Sequence, residues 1–509
     1  MARTPLFRSL QRAYQLAELS AQKNSPPADE IAEWAVVQRQ SRRQFLTTAF
    51  QGSVAIGAAT VLPSFVWDVG STVKIAIVGA GMAGLHAGYI LKKKGLGNNI
   101  TIYEASGRTG GRMYTEKLNG NKGTTELGGE FVDSDHKDIL KLAKEFGVTI
   151  LDREKDTLEG ELFFMGSKPF KQIDAIRAFG LIREKIAGDV GTAGPLFQKL
   201  DHTTMKEYID GLQTDAWFKK VLEVAYIGEY GLELEEQSSL SFTELVGKQK
   251  KGFMMFGESD ERYKLLGGNQ QLCDRLADNL KDKILLNHKL TAVKNTGSGF
   301  TLQFEGEKEE VMADIVIMTL PFTILREVEG MEKLQGMTSE KWKCIQELGY
   351  GQNGKYFLDM KERIWRDQGY QGYLFTDKIH SGWDSYHLQQ GNTGKSIFSI
   401  FLGGKAGAAI GKGKGAEFLP DIATAFTGIQ SAYTGFTTQF NWWEHKYTKG
   451  SYACYKPGQW TTISGQEGER VGNMLFAGEH CSIDFQGFMN GAAQTGRLAA
   501  RQVLNMVKR

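Results

Sequence analysis

The chain has 509 residues, too many for one hydrophobic core, so at least two domains are expected. Its 61 Lys and Arg residues nearly balance 59 Asp and Glu residues, and a formal net charge of +2 gives no basis for a nucleic-acid partner. Four cysteines without CxxC spacing exclude a disulfide scaffold and a zinc ribbon, and the eight histidines show no HExxH spacing, so no metal site is predicted.

The first 67 residues are interpreted as a leader. Residues 1–40 have apolar side chains at helical spacing, which indicates an N-terminal helical leader that could pack on a second copy, and we expect a homodimer. Residues 41–67 form a signal-like segment, in which a twin-arginine pattern (S-R-R-Q-F-L) precedes an uncharged, mildly apolar stretch. It predicts export to the periplasm or the medium, with membrane contact only during export, because the stretch is too polar for a membrane span. The alternative is a chance Arg-Arg pair before a core helix, and cleavage is left open.

A strand, a glycine-rich turn and a helix follow. Residues 74–78 (K-I-A-I-V) predict a buried strand, and G-A-G-M-A-G at 79–84 leads into a helix over about 82–94. A second strand at 100–103 ends in Glu104. This order is typical of a βαβ unit that binds a dinucleotide.

Each residue of this motif has a predicted task. Gly79 permits the tight turn, Gly81 lets the backbone approach a pyrophosphate, and Gly84 allows the helix to pack closely on the strand. The helix N-terminus around Ala83 favours the phosphate charge, and Glu104 is placed to accept the ribose hydroxyls.

Two further stretches, 104–112 (E-A-S-G-R-T-G-G-R) and 126–131 (E-L-G-G-E-F), distinguish FAD from NAD. Here the sequence resembles the flavin amine oxidase family, which holds monoamine, polyamine and L-amino acid oxidases. The resemblance implies an α/β fold: a Rossmann-type (glutathione-reductase-like) FAD-binding domain assembled from separated segments, plus an α+β substrate-binding domain. In that family the first stretch wraps the pyrophosphate and ribityl chain and the second packs beside the flavin ring. The implied contacts are Ala105, Arg108, Gly111, Arg112, Gly128, Gly129 and Glu130, with an ordinary surface position as the alternative for either arginine.

The resemblance continues towards the C-terminus. Residues 265–272 resemble the family's glycine turn before a helix, and 287–293 resemble the strand that contacts the adenine. Residues 474–480 (M-L-F-A-G-E-H) resemble the segment whose acid bonds the ribityl chain, and 485–493 open a helix whose dipole would stabilise an anionic reduced ring. The matched positions are Leu290, Gly478, Glu479, Gly487 and Phe488.

Three residues are predicted to act on the substrate side. Lys355 resembles the family lysine that holds a water against flavin N5 and helps the reduced flavin to react with oxygen; the alternative is a plain lysine at a strand end. Tyr452 and Phe488 fall where the family has the two aromatic walls of its amine cage, and Trp442 lies in the matching N-W segment. A slot between two rings would desolvate and orient an amine, although both rings could instead be core aromatics.

The FAD is expected to be bound non-covalently. Ser451 occupies the position where monoamine oxidases carry the cysteine bonded to the flavin. Cys454 lies three residues on, which on an extended strand places it on the other face.

The substrate is open between two main readings. The stretches G-G-E-F-V-D-S and G-S-Y-A-C-Y-x-P-G-Q-W resemble exported bacterial L-amino acid oxidases. That resemblance implies oxidation of an aromatic or bulky aliphatic L-amino acid by O2 to a 2-oxo acid, ammonia and hydrogen peroxide. The alternative is a monoamine or polyamine oxidase or dehydrogenase without a carboxylate site, because Phe131 stands where venom-type enzymes carry the carboxylate-binding arginine. A flavin-binding protein without turnover is the third reading.

Each reading has its own candidate residues. A substrate carboxylate would need a cation, for which the candidates are Arg363, Lys117 and Lys449. The far ammonium of a diamine would instead pair with a carboxylate, for which the candidates are Glu130, Glu229 and Asp377. Trp217 and Trp383 are candidates for the lining of a roomy pocket.

The spacing of the motifs predicts the domain organisation. Residues 68–133, 263–325 and 450–509 form the FAD-binding domain, and 134–262 and 326–449 form the substrate-binding domain. Apolar spacing predicts helices in 134–262 and strands in 326–449.

Overall fold

The computed structural model describes residues 73–507 except 248, 250–252, 258, 390–393 and 412–414. The predicted helical leader and twin-arginine segment lie outside the described residues, so export, cleavage and dimerisation stay predictions. Within the described part of the chain, no helix is long and apolar enough to cross a membrane.

Strands and helices build two large sheets and a three-stranded meander. The main strands are β1 (Ile75–Val78), β2 (Ile100–Tyr103), β3 (Ile150–Asp152), β4 (Glu159–Met165), β5 (Lys168–Lys171), β6 (Tyr263–Leu265), β7 (Ile284–Leu285), β8 (Leu290–Thr296), β9 (Gly299–Phe304), β10 (Val311–Ala313), β11 (Ile315–Met318), β12 (Gly354–Met360), β13 (Tyr370–Thr376), β14 (His380–Asp384), β15 (Ser396–Leu402), β16 (Tyr433–Asn441) and β17 (Met474–Phe476). The longer helices are α1 (Met82–Leu91), α2 (Lys137–Glu145), α3 (Gln172–Gly180), α4 (Arg183–Asp189), α5 (Pro195–His202), α6 (Met205–Gly211), α7 (Ala216–Tyr230), α8 (Ser239–Val246), α9 (Gln270–Leu280), α10 (Ser339–Glu347), α11 (Leu419–Ala425) and α12 (Met489–Val507).

The first sheet is parallel, with strand order β17-β11-β1-β2-β7. Its strands come from all three segments predicted for the FAD-binding domain, and the predicted α/β class is confirmed. β1 and β11 are buried along their whole length, which explains their unbroken apolar sequences. Helix α12 approaches α1 so closely that a Cβ on Gly496 would lie 2.2 Å from the carbonyl oxygen of Ala83. The carboxyl ends of β1 and β2 thus meet the glycine-rich loop at one edge, where sheets of this kind bind ligands.

The second sheet has seven strands in the order β16-β12-β15-β14-β13-β4-β5. Its pairs are antiparallel except for β13 with β4. Residues 134–262, for which the sequence predicts helices, also contain the β4–β5 hairpin. Its turn residues Gly166 and Ser167 have φ values of 56° and 63°, the geometry that a tight two-residue hairpin requires.

Some element boundaries differ from those predicted. Helix α1 ends at Leu91, and Gly95 (φ 91°) breaks the turn that follows. The strand predicted within 287–293 begins at Leu290, and Asn287, with a φ of 60°, lies outside it. Strand β6, at the start of the second FAD segment, pairs with β3 from the substrate segment. The domain division by sequence position stays a prediction.

Candidate active site

A cavity of about 330 Å³ begins at the carboxyl ends of β1 and β2 and reaches β12, β13, β14 and β15 of the second sheet. The residues predicted to contact the cofactor line it, except Gly84, and so do Lys355, Tyr452 and Phe488. A Cβ on Gly84 would lie 2.0 Å from the carbonyl oxygen of Gly79, so Gly84 serves the close packing of α1 on the loop. The fold therefore brings widely separated residues to one place, although their roles towards FAD stay predictions.

The glycine-rich loop forms a cradle for a phosphate group. Gly79 has a φ of 106°, which glycine adopts at little cost, and its amide donates to the carbonyl of Tyr103 at 2.8 Å. Gly81 faces Gly111, where an added Cβ would lie only 3.2 Å from the Cα of Gly81. Helix α1 begins directly after Gly81, so its first amides and the positive end of its dipole point to this cradle. These residues fit the pyrophosphate of FAD.

Glu104 is held at the edge of the cavity beside this loop. Its Oε2 accepts a hydrogen bond from the amide of Ala80 at 2.8 Å, and its Oε1 accepts from the amide and the hydroxyl of Ser106, both at 2.8 Å. The carboxylate is thus fixed where it can also accept the predicted ribose hydroxyls.

Glu479 joins three parts of the chain at the cavity wall. Its Oε1 pairs with Arg112 at 2.8 Å and accepts from the amide of Ala453 at 3.3 Å, while its Oε2 accepts from the amide of Gly487 at 2.9 Å. Arg112 also donates to the carbonyl of Ser451 at 2.6 Å. Arg112 and Glu479 therefore neutralise each other and fix the backbone of this wall.

The stretch around Gly128 and the second arginine are also fixed by close contacts. A Cβ on Gly128 would lie 1.8 Å from the carbonyl oxygen of Arg112. The indole of Trp442 donates to the carbonyl of Leu127 at 2.9 Å. Arg108 donates to the carbonyl of Gly111 at 2.5 Å, and it lines the cavity as predicted.

Lys355 projects from the buried strand β12. Its ammonium group lies 3.0 Å from the carbonyl oxygens of Glu126 and Gly128 and 3.1 Å from Oε2 of Glu130. An ammonium carries three protons, so the predicted water-holding role requires that one of these bonds be exchanged. Burial raises the pKa of the adjoining Glu126 carboxyl to about 7, although the amide of Asn269 bonds it.

Aromatic rings line the cavity beyond Lys355. The hydroxyl of Tyr452 donates to the carbonyl of Glu229 at the end of α7. The ring of Phe488 packs edge-on against His136 with centroids 5.2 Å apart. Trp383 lies edge-on to Phe131 at 5.5 Å, and both line the cavity.

His136 is a neutral support for Phe488. Its Nδ1 accepts from the amide of Asp133 at 3.0 Å, which assigns the proton to Nε2, 3.2 Å from Oδ2 of Asp133. Burial lowers the pKa of His136 to about 4. Asp133, Asp135 and His136 lie close together, but a protonated Nε2 is not available to ligate a metal ion.

Three carboxyl groups line the end of the cavity away from the glycine-rich loop: Asp133, Glu229 and Glu261. Burial raises the pKa of Glu229 to about 7, and the charge of Asp133 adds to this. Burial also raises the pKa of Glu261 to about 8, although Arg153 lies 3.5 Å away and opposes it, and the pKa of Asp133 to about 6. Burial and mutual repulsion thus make these groups costly to ionise without a cation.

Several predicted substrate residues do not reach the cavity. Of the described cations, Arg363 donates to the carbonyl of Tyr386, Lys449 pairs with Glu327, and neither these nor Lys117 line it. Trp217 stacks on Phe170 with centroids 4.0 Å apart, and neither Trp217 nor Asp377 lines the cavity.

Four residues of the site were missed by sequence reasoning: Asp133, His136, Glu261 and Lys264. Asp133 and His136 lie two and five residues after the G-G-E-F stretch, and Lys264 directly precedes the L-L-G-G turn, so proximity to a motif was the available signal. Glu261 lies in no recognised motif, so no sequence signal was available for it.

No cysteine is found among the described lining residues, and Ser451 does line the cavity. Cys454 is buried elsewhere, as its place on the other face of the strand predicted. This arrangement fits non-covalent binding of FAD.

Comparison with known proteins matches this chain to one family. Residues 82–504 match the family model described as "Flavin containing amine oxidoreductase". The chain is 27% identical over 462 residues to "Amine oxidase [flavin-containing] A" of Sus scrofa, covering 86% of each protein. It is 28% identical over 459 residues to "Amine oxidase [flavin-containing] B" of Canis lupus familiaris, covering 85% of this chain and 86% of that protein.

Solved structures share the fold. Wild-type putrescine oxidase bound to putrescine superposes with a TM-score of 0.72 at 21% identity, covering 87% of this chain and 100% of that one. Cyclohexylamine oxidase from Brevibacterium oxydans IH-35A gives a TM-score of 0.73 at 19% identity, covering 85% and 99%. At these identities the likeness concerns the fold. On the family match, the chain belongs to the flavin-containing amine oxidoreductases, and its cofactor is FAD.

Proposed function

We propose that this protein oxidises an amine that carries a second positive charge, a diamine or polyamine, with O2 as the electron acceptor. The products would be an aldehyde, ammonia or a shorter amine, and hydrogen peroxide. The observation that carries the proposal is the set of three carboxyl groups, Asp133, Glu229 and Glu261, at the end of the cavity away from the glycine-rich loop. Buried carboxyl groups with raised pKa values gain most from a cationic partner.

The cations at this end of the cavity already have protein partners, which disfavours a substrate that carries a carboxylate. Among the described residues at this end, Lys355 is the lining cation, and its three protons already have protein acceptors. Arg153 is paired with Glu261. An L-amino acid would therefore bury its carboxylate beside three carboxyl groups without a free partner, which is costly. The curated relatives are amine oxidases, and this supports an amine over an amino acid as the substrate.

Different residues are proposed to bind the two ends of the substrate. Bound FAD supplies the group that takes a hydride equivalent from the carbon bearing the amine. Tyr452 and Phe488 would enclose the reacting amine between rings and exclude water, which favours its neutral form. Glu229 is suited to hold the far ammonium, because its backbone already anchors Tyr452 through the tyrosine hydroxyl. The ring of Tyr452 and the carboxyl group of Glu229 are therefore held at a fixed distance from each other.

The test is a peroxide-coupled assay of the purified holoenzyme with putrescine, butylamine and L-leucine. Putrescine and butylamine have the same carbon chain and differ in the second amine. We expect kcat/KM for putrescine to exceed that for butylamine by roughly tenfold or more, as one charged hydrogen bond of 1.5–3 kcal/mol implies. Glu229→Gln should lower kcat/KM for putrescine by a similar factor and change butylamine by less than about twofold.

Glu223→Gln is the matched control, because Glu223 lies on the same helix and pairs with Lys220 outside the cavity. Turnover of L-leucine without turnover of either amine would overturn the proposal in favour of an L-amino acid oxidase. Reduction of the flavin by putrescine without peroxide would instead identify a dehydrogenase.

A further inference from the structure

A buried ion cluster forms part of the cavity wall and consists of Lys264, Glu130 and Lys355. Lys264 Nζ is 2.8 Å from Oε1 of Glu130, and Lys355 Nζ is 3.1 Å from its Oε2. The three residues are 5%, 6% and 4% exposed. Two positive charges thus share one carboxylate in a region that solvent does not screen.

The three members have different access to the cavity. Glu130 and Lys355 line it, whereas Lys264 does not and is instead held by the carbonyl of Ser385 at 2.8 Å. Lys264 therefore reaches the cavity through the lining residues it contacts: it bonds Glu130, and its ammonium lies over the ring of Phe131, 5.6 Å from the centroid. Each carboxylate oxygen of Glu130 has its own ammonium partner, so Oε1 would lose its charged partner if Lys264 were removed.

The cluster is firmly attached to the stretch predicted to pack beside the flavin ring. Lys355 bonds the carbonyl oxygens of Glu126 and Gly128, and Asn269 donates to the carbonyls of Gly129 and Glu130, both at 2.8 Å. Any charge left over on the cluster is held at a fixed distance from that stretch. The side chain of Glu126 adjoins the cluster and is bonded by Thr115 at 2.8 Å.

The ions of the cluster do not cancel. Burial by itself would raise the pKa of Glu130, but the two ammonium groups outweigh it and hold that pKa below its usual value, so the carboxylate is ionised. Two ammonium groups and one carboxylate leave a charge of +1 below pH 7, where the adjoining Glu126 carboxyl is protonated because burial raises its pKa to about 7. Without Lys264, Glu130 would neutralise Lys355 directly.

We propose that Lys264 is a positioning residue of the active site: it occupies one oxygen of Glu130, leaves the charge of Lys355 uncompensated, and thereby raises the reduction potential of the bound flavin. A fixed positive charge beside a flavin favours the reduced ring, which carries more negative charge. This role is independent of which amine is the substrate.

The test is a reductive titration of the holoenzyme against a redox dye, which requires no substrate, at a pH below 7 where Glu126 is protonated. In Lys264→Met we expect the ratio of reduced to oxidised flavin at a fixed potential to fall about tenfold, which is about 30 mV for a two-electron couple. Lys264→Arg, which keeps the charge, should stay within about twofold of the wild type. Lys264→Gln keeps a hydrogen-bond donor for Glu130 but has no charge, so its potential should resemble that of Lys264→Met. It replaces Lys264→Met in the test if the methionine variant does not retain FAD.

A double variant separates charge from structural damage. Lys264→Met with Glu130→Gln leaves Lys355 as the one ion of the cluster, so the potential should return towards that of the wild type. An unchanged potential in both Lys264→Met and Lys264→Gln would overturn the proposal. A fall in Lys264→Arg as large as in Lys264→Met, or a further fall in the double variant, would do the same.

Discussion

At the end of the cavity near β1 and β2, the chain offers backbone groups and glycines, and the side chains of Glu104, Arg112 and Glu479 already have partners within the protein. At the opposite end it offers three carboxyl groups whose pKa values burial raises. The first end is preorganised, since Glu104 and Glu479 each satisfy several protein donors. The second end stores unfavourable electrostatics that a cation would relieve. On the proposed function, cofactor binding therefore depends mainly on shape, and substrate binding depends on charge.

The largest effect should come from breaking the shape of the cofactor end. In Gly84→Ala the new methyl group would meet the carbonyl oxygen of Gly79 at 2.0 Å, so the loop and α1 must separate. We expect loss of more than about 4 kcal/mol of unfolding free energy, a value typical of severe core disruption, and loss of FAD. Thermal unfolding and the flavin-to-protein absorbance ratio measure both.

Gly188→Ala is the control, because its Cβ would meet nothing within 4 Å in helix α4. That substitution should stabilise the protein by roughly 0.5–1 kcal/mol, since alanine is the better helix former. A Gly84→Ala variant that kept stoichiometric FAD and normal stability would contradict the assigned packing.

The next effect should come from the charge that fixes the cofactor wall. Glu479→Gln leaves Arg112 without its buried counter-ion and weakens the bonds to Ala453 and Gly487. We expect a loss of about 3–5 kcal/mol at most, the range for breaking one partner of a buried pair, and weaker FAD binding. Glu327→Gln should change stability by less than about 1 kcal/mol, because the Lys449–Glu327 pair is exposed. Equal losses in the two variants would show that the wall does not depend on Glu479.

The smallest expected effect is a pH-dependent change in stability when a carboxyl group at the substrate end is removed. The folded state raises the pKa of Glu229 to about 7 and of Glu261 to about 8, so it binds their protons more tightly than the unfolded chain does. Their stabilising contribution is present below the unfolded pKa, near 4.5, and is lost as the pH rises through 7 and 8. Without substrate, Glu229→Gln and Glu261→Gln should each be more stable than the wild type at pH ~8.5, by about 1–3 kcal/mol, and similar to it at pH ~4.5.

A carboxyl of the opposite kind is the control for this pH dependence. Hydrogen bonds from Lys93 and Tyr89 lower the pKa of Glu145, so Glu145→Gln should cost stability at neutral pH instead of adding it. Urea unfolding at several pH values checks the sign of each difference. The raised pKa values of Glu229 and Glu261 would be contradicted if, relative to both cavity variants, the wild type became more stable between pH ~5 and pH ~8.

The sequence predicted the cofactor end in detail because its residues are close along the chain. The order strand, glycine turn, helix, strand and acid is local, and each glycine is required by a backbone approach that the motif itself defines. Gly79, Gly81, Gly84 and Glu104 occupy the places this order predicts. Lys355, Tyr452 and Phe488, which the resemblance of their flanking residues to a family indicated, line the cavity, and their roles stay predictions.

Tertiary structure alone decided which charges meet. Glu130 was a candidate for a diamine, but β6 and β12 bring Lys264 and Lys355 to its two oxygens. Glu261 carried no sequence signal, yet the fold places it in the cavity with Asp133 and Glu229, whereas Asp377 and Trp217 lie elsewhere. Coulomb interaction depends on distance and burial, and neither can be read from positions that lie more than a hundred residues apart in the chain. The sequence by itself determined the cofactor and the fold class, and the packing of two sheets determined what the far end of the cavity can bind.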